Sequence, residues 1–151
     1  MSKIFGVLVF FSSLLGAKAA DYDDIFATFY GGISFSSENP VLTGISVGYC
    51  PADTIGFGIF FDQSLYPSLS YSSEATFTGV QGSWFLEPFE VSTGLGALMR
   101  PTRATELAFL LSGAYLYALA PGMALRFEFH GRASLKRASQ AFTTVGLRFL
   151  F

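Results

Sequence analysis

Apolar residues recur at every second position through most of the chain beyond residue 24, the period of a strand with one greasy and one small or polar face. In Ile25–Phe35 the odd positions Ile25, Ala27, Phe29, Ile33 and Phe35 are apolar, with Thr28 and Ser34 opposite. Val41–Tyr49 sets Val41, Ile45, Val47 and Tyr49 against Gly44, Ser46 and Gly48. Thr54–Asp62 sets Ile55, Phe57, Ile59 and Phe61 against Gly56, Gly58 and Asp62. Phe89–Arg100 sets Phe89, Val91, Leu95, Ala97 and Met99 against Glu90, Ser92, Gly94, Gly96 and Arg100. Met123–Arg132 sets Met123, Leu125, Phe127 and Phe129 against Arg126, Glu128, His130 and Arg132. Two further segments alternate poorly. Ala75–Phe85 suits a strand through its threonines, Val80 and Trp84. Leu107–Leu119 is apolar on both faces and also reads as a short helix; its length and its neighbours favour a strand.

With the terminal segment Thr144–Phe151, the count is eight strands. The connections add polarity to the picture. Pro51-Ala52-Asp53, Glu87-Pro88 and Ala120-Pro121-Gly122 have the composition of tight turns. The links 36–40, 63–74, 101–106 and 133–140 are longer, so short and long connections are expected to alternate. A chain that is 51% hydrophobic and 17% aromatic, without a convincing apolar helix beyond its N-terminus, must turn its greasy faces toward something. Closing the strands into a barrel in lipid achieves this, with short periplasmic turns and longer external loops. The predicted fold class is all-β: an eight-stranded antiparallel, up-and-down transmembrane β-barrel with both termini in the periplasm.

The N-terminus supports export. Residues 1–19 read as a signal peptide: a basic start at Lys3, an apolar run Ile4–Leu15, and Ala17-Lys18-Ala19 as the cleavage pattern. That run is too short for a membrane-spanning helix, which needs about 20 residues. The barrel domain is then residues 20–151, in which seven basic residues face eleven acidic ones, a net charge of −4. Such a chain has no broad electrostatic reason to bind nucleic acid. Its one cysteine, Cys50, excludes an internal disulfide and reads as a small apolar filler.

The last strand carries the most specific signal. Thr144, Gly146, Phe149 and Phe151 place a polar residue, a spaced glycine and two hydrophobic residues one apart, the last ending the sequence. This resembles the terminal β-signal of small bacterial outer-membrane β-barrel proteins. The resemblance implies a barrel-assembly machinery as partner during biogenesis and outer-membrane lipid thereafter, with strand addition at the open edge as the recognition mode. Trp84, Phe85, Phe89, Tyr117, Phe149 and Phe151 are expected to form a periplasmic aromatic girdle.

An eight-stranded barrel is wide enough only for its own side chains, so no open pore is expected. Among the inward positions are Asp62, Glu90, Arg100, Arg126, Glu128, His130, Arg132 and Arg148. Charges confined in a narrow interior must pair. The candidate lumen network is accordingly Glu90, Arg100, Arg126, Glu128, His130 and Arg148, and the reading that follows is a structural or surface-interaction protein. Two alternatives stand beside it. The stretch Arg126–Gln140 is similar to the lipid A deacylase family of barrels, whose strand histidine is followed two residues later by a nucleophilic serine and further on by an acid. His130 matches the histidine, but Arg132 holds the serine position and no Asp or Glu follows Glu128. Ser134 lies about 13 Å along the strand, beyond hydrogen-bond reach. The second alternative is a surface binder of host, phage or lipopolysaccharide. Tyr66, Pro67 and Tyr71 give one link a recognition-loop composition. Arg132, Lys136 and Arg137 form a candidate contact for lipopolysaccharide phosphates. No metal-ligand spacing or phosphate-binding loop is present, so no cofactor is implied.

Overall fold

The computed structural model describes residues 24–35, 40–66, 73–101, 103–135 and 139–151. They form eight strands: β1 (Ile25–Ser34), β2 (Val41–Ala52), β3 (Ile55–Tyr66), β4 (Ser73–Leu86), β5 (Phe89–Arg100), β6 (Arg103–Ala120), β7 (Met123–Ser134) and β8 (Gln140–Leu150). Each pairs antiparallel with its sequence neighbour, and β8 returns to β1 in a register running from Phe26↔Leu150 to Ser34↔Phe142. The sheet is therefore a closed up-and-down barrel with no free edge, as the period-two pattern predicts.

Both weak segments are strands. In β6, Ala108, Leu110, Ala114 and Leu116 are buried inside while Leu107, Phe109 and Leu111 are exposed outside. Its two apolar faces thus meet two different apolar surroundings, lumen packing and lipid, which is why alternation was invisible there. β4 behaves alike, with Phe77 and Phe85 inward and Val80 and Trp84 outward.

The outer wall is a belt of exposed large apolar side chains. Ile25, Phe29, Ile33, Phe57, Ile59, Phe61, Phe109, Leu111, Phe127 and Phe129 all lie on it. Water would make such a surface untenable, whereas hydrocarbon is its natural solvent.

At one end the turns are the two-residue links 53–54, 87–88 and 121–122, the last needing glycine because Gly122 has φ 73°. At the other end the links are 35–40, 67–72, 101–102 and 135–139. The strict alternation of short and long links fails at the third of these. β6 starts at Arg103 and pairs it with Arg100 after a bulge, so most of the expected 101–106 loop is strand. The aromatic girdle also needs one correction: Phe85 points inward and is buried, where it meets Phe26 edge-on at 6.2 Å. Trp84 and Phe89 remain on the outer wall, and Tyr115 packs on Phe89 at 5.6 Å. The expected signal peptide, residues 1–19, lies outside the described residues, as do Pro67, Tyr71, Lys136 and Arg137.

Candidate functional site: the charged plug of the lumen

The interior is built in layers. Near the two-residue turns, Phe26, Cys50, Phe85, Leu116 and Ala124 form an apolar floor, with Leu150 packed against it. Toward the other end Phe60, Phe77, Leu98 and Leu110 form a second apolar cluster with Ala75 and Ala108. The alternation rule missed both, because it separates the two faces of a strand without saying that the inner face is polar at every level.

From the level of the first cluster to that of the second runs a ladder of alternating charge. Arg148, fully buried, places Nη2 3.1 Å from Glu90 Oε1 and donates through Nε to Thr28 Oγ1 at 3.0 Å. Its Nη1 is 2.8 Å from Glu90 Oε2, an ion pair set off the hydrogen-bond direction. Arg126 then bridges two carboxylates, through Nε to Glu90 Oε2 at 3.2 Å and Nη1 to Glu128 Oε2 at 2.5 Å. Hydroxyls complete the acceptors: Ser92 donates to Glu90 at 3.0 Å and Thr144 to Glu128 at 3.0 Å. Farther along, Arg132 reaches Asp62 at 3.1 Å and Ser64 at 2.9 Å, and Tyr30 donates its hydroxyl proton to Asp62. Three guanidiniums thus face three carboxylates, so the ladder is neutral as a whole.

Aromatic rings cap the cations. The guanidinium of Arg148 lies over Phe26 at 4.7 Å, and that of Arg132 over Phe142 at 4.8 Å and Phe77 at 5.3 Å. These contacts offset part of the hydration that a buried guanidinium gives up. Glycines make the space. A Cβ on Gly44 would fall 2.6 Å from both the Tyr30 ring and Asp62, and one on Gly146 would fall 2.8 Å from Tyr30 Cβ. Tyr30 pairs in register with both glycines, which lets its ring lie flat enough to reach Asp62.

The structure brings together five of the six residues expected in the network: Glu90, Arg126, Glu128, Arg148 and, beside them, His130. Arg100 does not join. It sits at the far end of β5 and enters no ion pair among the described residues. Arg132 belongs to the plug and not to a surface patch: it is 3% exposed, so it is withdrawn from the lipopolysaccharide-contact set. Tyr30 was missed by sequence reading, although its parity with Thr28 was the available signal.

His130 is committed within this packing. Its Nε2 accepts from Arg132 Nε at 3.3 Å, which leaves the ring proton on Nδ1, 3.9 Å from Glu128. Ser134, the displaced serine of the hydrolase comparison, donates instead to Glu106 at 2.6 Å. A different serine, Ser112, stands opposite His130 across β6–β7, but it is buried and its hydroxyl bonds to Glu128. Histidine, serine and acid face the lumen, on the opposite side of the wall from the exposed apolar belt.

The terminal strand places Thr144 and Gly146 inward and leaves Phe151 exposed, with Phe149 half-buried against Phe29 at 6.3 Å.

No family model and no curated protein matches the sequence. Solved structures do match. The N-terminal β-barrel domain of Pseudomonas aeruginosa OprF superposes with a TM-score of 0.65 at 15% identity, covering 86% of this chain and 98% of that one. Neisserial surface protein A gives 0.64 at 15% identity, covering 85% and 96%. Ail, the attachment invasion locus protein of Yersinia pestis, gives 0.61 at 9% identity, covering 87% and 99%; it has also been solved with the heparin analogue sucrose octasulfate. With eight strands closed in sequence order and a greasy outer wall, this chain has the fold of the small eight-stranded outer-membrane β-barrels.

Proposed function

We propose that this protein is a resident of the bacterial outer membrane, a closed, non-enzymatic barrel that serves as a scaffold for the links at its outer end. The observation that carries the reading is the neutral ladder from Arg148 to Arg132, buried in the lumen against two apolar clusters. Breaking it to admit water and ions would strand opposite charges in a narrow lumen. Purified wild-type barrel in a planar bilayer should give no stepwise conductance beside a porin control. A steady ohmic conductance from the wild type would overturn the closed-barrel reading. In the same proposal, Thr144, Gly146, Phe149 and Phe151 serve as the terminal strand handed to the assembly machinery.

The orientation follows from the turns, two residues long at the periplasmic end. Tags inserted after residue 69 or 136 should be reached by an antibody on unbroken cells, whereas tags at Asp53 or Pro88 should not. Surface labelling at Asp53 in intact cells would reverse the orientation.

A second reading concerns what the outer end touches. Arg103 is exposed there, and Lys136 and Arg137 follow the end of β7 in sequence. With Arg132 removed from the set, these three are the cations we propose as contacts for lipopolysaccharide phosphate. Ail, a barrel of the same fold, has been solved in complex with the heparin analogue sucrose octasulfate, a polyanion, which supports this reading by analogy.

A further inference from the structure

The lipid-facing wall is not uniformly bulky. On β3, Phe57, Ile59 and Phe61 make one exposed ridge, and on β6, Leu107, Phe109 and Leu111 make another. Between them β4 and β5 carry small residues at outward positions, with Gly82 and Thr93 paired at the floor. The result is a recess of about 620 Å³, bounded by Phe57 and Ile59 on one side and Phe109 on the other, with Val80 and Leu95 along it.

Packing of the barrel does not dictate the glycine. A Cβ on Gly82 would meet only the Phe57 ring, at 3.9 Å, whereas one on inward Gly94 would fall 2.7 Å from the Val80 carbonyl. A glycine inside a strand weakens it, and is found at bulges, at tight bends or where a ligand approaches closely. The register of β4 with β3 and with β5 runs through Gly82 without a bulge. The recess also makes no polar demand. Thr93 donates its hydroxyl to the Leu110 carbonyl at 3.3 Å, and Thr78 on the same outward side donates to the Phe60 carbonyl at 3.0 Å.

Its height selects the occupant. Gly82 stands four residues from Leu86 at the two-residue turn. At about 3.3 Å per residue and a tilt of roughly 40°, the floor is about 10 Å up a ~25 Å apolar band, and the recess runs from about 5 Å at Phe57 to about 15 Å at Val80, so most of it lies in the half nearer the periplasm. The inner leaflet of an outer membrane is phospholipid. We propose that this recess seats one acyl chain of a periplasmic-leaflet phospholipid, in preference to bulk lipid. The inference rests on the membrane placement and orientation given above. The recess is continuous with the lipid-facing belt, so hydrocarbon is what reaches it. A second barrel, convex, would ride on the β3 and β6 ridges and leave the floor empty, while a flexible chain gains dispersion contacts along the whole recess.

The protein carries its own reporter. Trp84 is the single tryptophan, exposed on β4 two positions from Gly82. The wild type, Gly82→Leu and Thr93→Leu would be folded into phosphatidylcholine vesicles doped with acyl-brominated phosphatidylethanolamine. Quenching of wild-type Trp84 should exceed the random-contact value, because a chain held in the recess keeps its bromines beside the indole whichever headgroup it carries. In the filled variants the quenching should fall to the random value. Heat-modifiable gel mobility in the same vesicles reports insertion separately, so failure to insert overturns the membrane reading itself. Insertion with random-contact quenching in wild type and variants alike overturns the acyl seat alone. Displacement of the quencher by unbrominated lipid A, or cross-linking between copies through Thr93→Cys, would overturn the proposed occupant.

Discussion

Glu90→Ala is expected to lower the unfolding free energy of the barrel in lipid by about 3–5 kcal/mol, the cost of stranding a buried partner charge. Glu90 is where the ladder is most constrained, because both Arg126 and Arg148 converge on it. Arg126 would keep Glu128 at 2.5 Å. Arg148 would keep only the Thr28 hydroxyl and the faces of Phe26 and Phe85, with no other carboxylate in its ion pairs among the described residues. The loss should therefore be carried mainly by Arg148, which a double variant can test. Adding Arg148→Met to Glu90→Ala should recover part of the stability, with a coupling of about 0.5–3 kcal/mol. Urea unfolding in vesicles, followed by gel mobility, reads both numbers. An unchanged midpoint for Glu90→Ala would remove the ladder as a source of stability, and strict additivity would place the cost elsewhere.

Phe127→Arg tests the other face of the wall. Phe127 is 44% exposed on the outer surface of β7 and pairs with Tyr115 and Val145, both on the same outward side. It stands four residues from Met123 at the turn end, about 10 Å up a ~25 Å band and so close to the midplane. Arginine there should cost about 2–4 kcal/mol, while Leu86→Arg, next to the turn at 87–88, should cost about 0–1 kcal/mol. Equal costs at the two depths would mean that the outer wall does not face hydrocarbon. Inward substitutions are not a mild control everywhere. A Cβ at inward Gly94 falls 2.7 Å from a backbone carbonyl and 3.2 Å from the Phe60 ring, so even a small side chain there must displace a neighbour. Ser92 holds Glu90 and Ser83, so its replacement disturbs the ladder as well.

Strand number, the inside–outside parity of most strands and the membrane-facing wall were legible in the sequence, because alternation is a local property of the chain. A residue and its second neighbour always share a face, whatever closes the barrel. Parity also sufficed to nominate Glu90, Arg126, Glu128 and Arg148 as neighbours in one lumen. What parity cannot supply is height. Arg100 has the same parity as Glu90 but stands at the opposite end of β5, about ten residues on and away from the ladder. Arg132 reads from the sequence both as an inward residue and as part of a basic loop. Only the closure of β3 onto the rest of the barrel, which brings Asp62 and Ser64 within reach, decides for the interior. The apolar floor and the second cluster were hidden for the same reason. Phe26 and Phe85 face inward beside the Arg148 guanidinium and Phe77 beside that of Arg132, and which rings meet which cations depends on register between strands distant in sequence. The recess over Gly82 is tertiary in the same sense, since its ridges come from β3 and β6 while its floor comes from β4 and β5. Local alternation determined which face each side chain takes, and the shear of the closed sheet decided which side chains meet.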